Sequence, residues 1–138
     1  MSAGAAQRLV VDTSAVLAVL IGEPARHAVL QVTQRVTVLA APSLPWEIGN
    51  ALVALVRRRR AQVRDVQRAW SAFREVPVRY VELDMLAALQ LALSTGLYGY
   101  DAYVLEAARA ARAPLLSLDQ GQCRAARGVG IEVLEVGR

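Results

Sequence analysis

The sequence contains no lysine: all sixteen of its positive residues are arginines. Chemistry that needs a side-chain amine is therefore closed to it. Schiff-base catalysis, a Walker-type phosphate loop and a phospho-receiver site are all excluded. A single cysteine, Cys123, cannot form an internal disulfide, and no Cys/His cluster is present to hold structural zinc. The one histidine, His27, lies in a mostly polar stretch and reads as surface. No apolar run approaches the roughly 18 residues a membrane span needs. Asp12 interrupts the apolar stretch from Leu9 to Ile21, so that segment reads as a strand and a helix rather than a leader, and the expected location is the cytoplasm.

What is present is a chain of 138 residues, 55% of them apolar, with a net charge of +4. This length suits a single domain spanning 1–138, with 1–7 expected to fray. Short runs rich in β-branched residues are expected as strands at Arg8–Val11, Val36–Ala40, Val78–Val81, Leu115–Leu118 and Val129–Val136. Helical periodicity occupies the segments between them. The clearest case is Leu44, Ile48, Leu52 and Leu55, which fall on one helix face. Trp46 and Trp70 are read as core or interface residues on apolar helical faces. Strands alternating with helices imply an α/β domain with a mainly parallel sheet covered on both sides. In such sheets function gathers at the carboxyl ends of the strands.

Four acids occupy suggestive positions. Asp12 directly follows Leu9-Val10-Val11, and Asp119 directly follows Leu115-Leu116-Ser117-Leu118. Asp101 opens a helix after Tyr98-Gly99-Tyr100, and Glu47 borders an apolar helix stripe. Singly, each has an ordinary explanation. Asp12 and Asp101 suit helix caps, Asp119 suits a turn with Gln120-Gly121, and Glu47 suits the edge of a buried face. Together, two strand ends and two helix starts supply one carboxylate each, and a parallel sheet brings such positions close. Clustered carboxylates repel unless a divalent cation offsets them, and an all-oxygen set suits Mg²⁺ or Mn²⁺. That combination serves phosphodiester chemistry.

Val10-Val11-Asp12-Thr13-Ser14-Ala15-Val16-Leu17 resembles the opening motif of PIN domains. Pro45-Trp46-Glu47-Ile48-Gly49-Asn50-Ala51-Leu52, Tyr100-Asp101-Ala102-Tyr103-Val104-Leu105-Glu106-Ala107-Ala108 and Leu115-Leu116-Ser117-Leu118-Asp119 are similar to the family's second, third and fourth motifs. Their order and spacing resemble the VapC-type toxin nucleases over nearly the whole chain. The resemblance implies a PIN-like three-layer fold with a five-stranded, mainly parallel sheet flanked by helices. It also implies a Mg²⁺-dependent endoribonuclease (Mn²⁺ as the possible substitute) whose acidic set is Asp12, Glu47, Asp101 and Asp119, with these four also holding the metal. Ser14 and Ser117 match hydroxyl positions that would orient acids or waters. The implied partners are an RNA substrate, a cognate antitoxin and a second copy of the chain. Gln120-Gly121-Gln122-Cys123 departs from the pattern, since many relatives place a further acid and a phenylalanine there.

Charge is consistent with an RNA substrate. Removing the four negative site residues from a net +4 leaves the rest of the chain at +8, which favours a phosphate backbone around a small acidic hole. The densest arginine run, Arg57 to Arg60, points around a helix and reads as a solvated helix end. Two other functions fit the same residues: a PIN-type RNA-processing nuclease without an antitoxin, and a non-catalytic α/β binding module.

Overall fold

The structure is a computed structural model that describes residues 7–136; the residues expected to fray thus lie, apart from Gln7, outside the described part. Five strands and seven helices follow one another as β1 (Arg8–Val11), α1 (Thr13–Leu20), α2 (Arg26–Thr33), β2 (Thr37–Ala40), α3 (Leu44–Arg57), α4 (Val63–Arg74), β3 (Val78–Tyr80), α5 (Met85–Thr95), α6 (Gly99–Ala111), β4 (Leu115–Leu116), α7 (Gln120–Gly128) and β5 (Val133–Leu134). The strands form one sheet in the order β3-β2-β1-β4-β5, and every pairing is parallel. The five-stranded α/β architecture expected from the alternation is therefore present.

The central strands show why the sheet lies between helix layers. Side chains alternate faces along a strand, and here both faces are buried. Val10, Leu39 and Leu115 pack on one side with Val104, Leu105 and Ala108 of α6 and Leu91 of α5. Leu9, Val11, Ala40 and Leu116 pack on the other side with Ala15 of α1, Leu44, Ile48 and Leu52 of α3, and Phe73 of α4. Runs such as Leu9-Val10-Val11 are continuously apolar because each residue has a core to enter. Truncating a fully buried residue such as Leu105 would cost about 2–5 kcal/mol.

Several elements differ from the sequence reading. The fourth strand is expected over Leu115–Leu118 but holds the ladder only at Leu115–Leu116. Beyond it, the Leu118 N–H donates to Ser14 Oγ and the Asp119 N–H to Ser117 Oγ, so side chains replace a neighbouring strand as partners. The last strand is two residues long rather than eight. Gly130 takes φ +82°, and the Ile131 N–H turns back to the Ala126 carbonyl, which delays the strand. Neither tryptophan is core: Trp46 is 67% exposed, and Trp70 is 41% exposed with its ring 5.5 Å from Phe73. At 100° per residue, Trp46 stands about 200° around the helix from Leu44 and Ile48, on the face away from the sheet. His27 is exposed, as expected.

Candidate functional site

β1 and β4 are parallel neighbours, with Val11 level with Leu116. Their carboxyl ends deliver Asp12 and the Ser117–Asp119 segment side by side. Asp12 caps α1, its Oδ1 accepting the Ala15 N–H at 3.0 Å. Asp119 caps α7 in the same way, accepting the Gln122 N–H at 3.0 Å. Asp101 lies in the first turn of α6 and Glu47 in the first turn of α3. All four expected acids therefore sit at helix N-termini, where the partial positive charge of the backbone favours a carboxylate. Asp12 thus makes the cap expected of it, Asp119 caps a helix where a turn is expected, and Asp101 is no cap, since Tyr98 holds that position in α6.

Asp12 is the most enclosed of the set, at 4% exposure. Both of its oxygens are held. Oδ1 accepts the Ser14 hydroxyl at 2.7 Å as well as the Ala15 N–H, and Oδ2 accepts the Ser117 hydroxyl at 2.5 Å. Ser14 and Ser117 thus stand where the sequence places hydroxyls that orient an acid. Each also accepts a backbone N–H from the β4–α7 connection, so orientation passes from that backbone through a hydroxyl to the carboxylate.

Glu47 depends on a residue that the sequence pattern does not single out. Ser43 precedes α3 in the N-cap position but makes no cap bond; its hydroxyl instead donates to Glu47 Oε2 at 2.9 Å. Thr13 Oγ1 stands beside the same carboxylate and favours its charged form. It closes no hydrogen bond of proper geometry, which leaves a buried hydroxyl short of a partner. Gln122 also escaped the sequence pattern. It is 2% exposed, and its Nε2 donates to the Asp101 carbonyl at 3.1 Å. The only advance signal was that it lies in the Gln120–Cys123 segment that departs from the resembled motif.

Burial and neighbouring acid charge raise the proton affinity of Asp12, Glu47 and Asp101. Burial raises the pKa of Asp12. Hydrogen bonds from Ser117, Ser14 and the Ala15 N–H oppose the rise, and the charge of Asp119 adds to it. Burial also raises that of Glu47, opposed by Ser43 and Thr13 and reinforced by Asp101 and Asp12. Asp101 is raised by burial and then by Asp119. No arginine figures among these influences, and the two ion pairs among the described residues, Arg109–Glu106 and Arg127–Glu135, involve none of the four. Among the described residues, then, none of the four acids is in an ion pair. In their placed rotamers, no three His, Cys, Asp or Glu side chains among the described residues form a group that could hold one ion. The convergence is therefore one of position and field rather than of a formed chelate.

Comparison with known proteins agrees with the geometry. The family model described as "PIN domain" matches residues 9–128. A search of curated proteins finds no match at a significant level. Among solved structures, the fold is similar to PAE2754 from Pyrobaculum aerophilum, with a TM-score of 0.64 and 21% identity over 88% of each chain. It is also similar to VapC20 from Mycobacterium tuberculosis, described as a sarcin-ricin loop cleaving toxin: TM-score 0.62, 16% identity, 92% of this chain and 98% of that one. A toxin-antitoxin complex from Klebsiella pneumoniae aligns with a TM-score of 0.52 and 16% identity over 80% of this chain and 86% of that one. At these identities the likeness is one of fold. Among the described residues, no helix is long and apolar enough to cross a membrane.

Proposed function

The chain belongs to the PIN domain family, and we propose that it is a single-domain, metal-dependent endoribonuclease serving as the toxin of a type II toxin–antitoxin module in the cytoplasm. One observation carries this reading. Four carboxylates stand at four separate helix starts, Asp12 and Asp119 at the carboxyl ends of neighbouring parallel strands, and none of the four is in an ion pair among the described residues. Net repulsion of this kind is offset by a hard divalent cation bound through oxygen. The donor chemistry, carboxylate oxygens with the buried Thr13 hydroxyl beside Glu47, fits Mg²⁺ or Mn²⁺. Asp12, Asp101, Asp119 and Glu47 would hold the ion, after side-chain adjustment from their present rotamers. Such an ion would lower the pKa of a water and offset charge on the scissile phosphate.

The remaining roles belong to the chain itself. Ser14 and Ser117 hold the carboxylate of Asp12 so that it does not rotate. Ser43 holds one oxygen of Glu47. The raised proton affinity of Glu47 suits it to take a proton from the attacking water, if it is not itself a ligand. Asp119 is exposed, with Oδ1 committed to the α7 cap, and it completes the site from the solvent side. The excess of arginine elsewhere attracts the RNA backbone without reading its sequence.

The toxin assignment rests on the likeness to VapC20 and to the Klebsiella complex, and it brings an antitoxin and a homodimer with it. Apolar side chains left in water on α5 and after it, Leu86, Leu93 and Tyr98, favour such partners. The test is cleavage of RNA by purified protein with Mg²⁺ or Mn²⁺, stopped by EDTA and lost in Asp12→Asn. Induced expression in cells should arrest growth. Equal cleavage by wild type and Asp12→Asn would remove this site from the reaction.

A further inference from the structure

We infer that Gln122 is a positioning residue that sets the separation of Asp101 and Asp119. The inference rests on the proposed function for its consequence, but its geometry stands independently. Gln122 lies in the first turn of α7 and is almost wholly enclosed. Its backbone N–H donates to Asp119 Oδ1 at 3.0 Å, and its side-chain Nε2 donates to the Asp101 main-chain carbonyl at 3.1 Å. One residue thereby joins the start of the helix that carries Asp101 to the acid that caps the next helix. The acceptor identifies the amide end: a carbonyl can only receive the NH₂ group. That orientation turns Oε1 toward Ser117 Oγ, 3.5 Å away. The single hydrogen of Ser117 is engaged at 2.5 Å by Asp12, so this wider approach is chiefly packing. Gln122 therefore touches the surroundings of Asp12, Asp101 and Asp119 at once.

The choice of side chain is informative. Burying an amide costs free energy unless it is hydrogen-bonded. Methionine or leucine would fill much of the same space at no such cost. What the amide adds is direction, a fixed span between α6 and α7 that an apolar side chain cannot enforce. Two like charges facing each other across that span, Asp101 and Asp119, tend to drive the helix starts apart. The tie opposes this and fixes the start of α6 against the start of α7.

Gln122→Met keeps the bulk and removes both hydrogen-bonding ends, Gln122→Glu keeps Oε1 and removes the donor, and Gln122→Leu serves if the methionine variant does not fold. Hydrogen–deuterium exchange on metal-free protein reads the tie through the order it gives the first turn of α6. Peptides covering 99–103 should exchange roughly 10-fold faster in the Met and Glu variants, with the sheet unchanged. Calorimetric Mn²⁺ titration without RNA should show affinity roughly 10-fold weaker or more, while the melting temperature of Gln122→Met stays close to wild type, since an apolar side chain of similar shape replaces a paired amide. Unchanged exchange at 99–103 overturns the tie. Faster exchange with wild-type Mn²⁺ affinity overturns the positioning role. Failure of wild-type protein to bind Mn²⁺ overturns the proposed function, and the positioning role with it, while the exchange result still decides whether the tie exists.

Discussion

Ser117→Ala tests how the buried carboxylate is held. Ser117 is 5% exposed and its hydroxyl makes two contacts that matter: it donates to Asp12 Oδ2 at 2.5 Å and accepts the Asp119 N–H at 3.0 Å. The first is a hydrogen bond to a charged group with little access to water, and such bonds contribute about 1.5–3 kcal/mol. The second frees a backbone N–H next to an exposed residue, which water re-solvates at small cost. The expected loss at neutral pH in metal-free protein is therefore about 2–3 kcal/mol, or a fall of roughly 8–12 °C in melting temperature for a domain this size. The loss should depend on pH. The Ser117 bond lowers the pKa of Asp12, so its stabilisation belongs to the ionised form. It is fully present above the raised folded pKa of Asp12 and shrinks as pH falls through that value and the carboxyl takes a proton. Thermal unfolding followed by circular dichroism in EDTA, at neutral pH and near pH 4, measures both effects. A penalty under 1 °C at neutral pH, or one equal at the two pH values, would refute the claim that this hydroxyl holds a charged Asp12.

Three further outcomes follow from the same geometry. Asp101→Asn should raise the melting temperature of metal-free protein while reducing RNA cleavage at least 100-fold, because it relieves a destabilising charge and removes a proposed ligand; a lower melting temperature counts against the repulsion. The raised affinities of Asp12, Glu47 and Asp101 mean that the folded state binds protons more tightly than the unfolded chain. Their joint contribution to metal-free stability must then fall as pH rises from the ordinary carboxylate range toward neutrality, and Mn²⁺ at 100 times its dissociation constant should restore about 2.7 kcal/mol. Melting curves with and without Mn²⁺ across that range decide this. Leu93 is 86% exposed, so Leu93→Glu should change monomer stability by no more than about 0.5 kcal/mol yet shift the chain from dimer to monomer in gel filtration; unchanged elution removes α5 from the proposed interface.

The parts of the molecule legible from sequence are those in which one physical requirement repeats along the chain. Burial on both faces makes β1 continuously apolar, and a buried stripe gives α3 its Leu44-Ile48-Leu52 spacing, so both elements could be read directly. The four acids were legible because a strand end or a helix start is itself a sequence signal. The core half of the core-or-interface reading of Trp46 fails because its angular position around α3 sends it to solvent rather than onto the apolar face. The two-residue length of β4 was hidden for a related reason. Ser117-Leu118 looks like strand, but hydroxyls from Ser14 and Ser117 claim the backbone N–H groups that would have continued the ladder.

Ser43, Thr13 and Gln122 mark where sequence reasoning stops. Serine at the start of a helix predicts a cap, and Ser43 has the position of one. Its backbone is already helical, at φ −75° and ψ −10°, whereas a capping residue is typically extended, and its hydroxyl meets Glu47 one turn on instead. Gln122 falls where a buried apolar residue fits, and its amide gains purpose only because α6 begins alongside α7. The carboxylates themselves follow from strand and helix boundaries, and Ser14 and Ser43 aim them locally, whereas Ser117 and Gln122 reach them only because distant segments dock. A change in the docking of α6 against α7 of less than one hydrogen-bond length would leave all four acids in their places along the chain and still disconnect Asp101 from Gln122. Variants at Ser43 and Gln122 therefore change how Glu47 and Asp101 are held without altering a single acid, one through a contact within a helix start and the other through a contact between two.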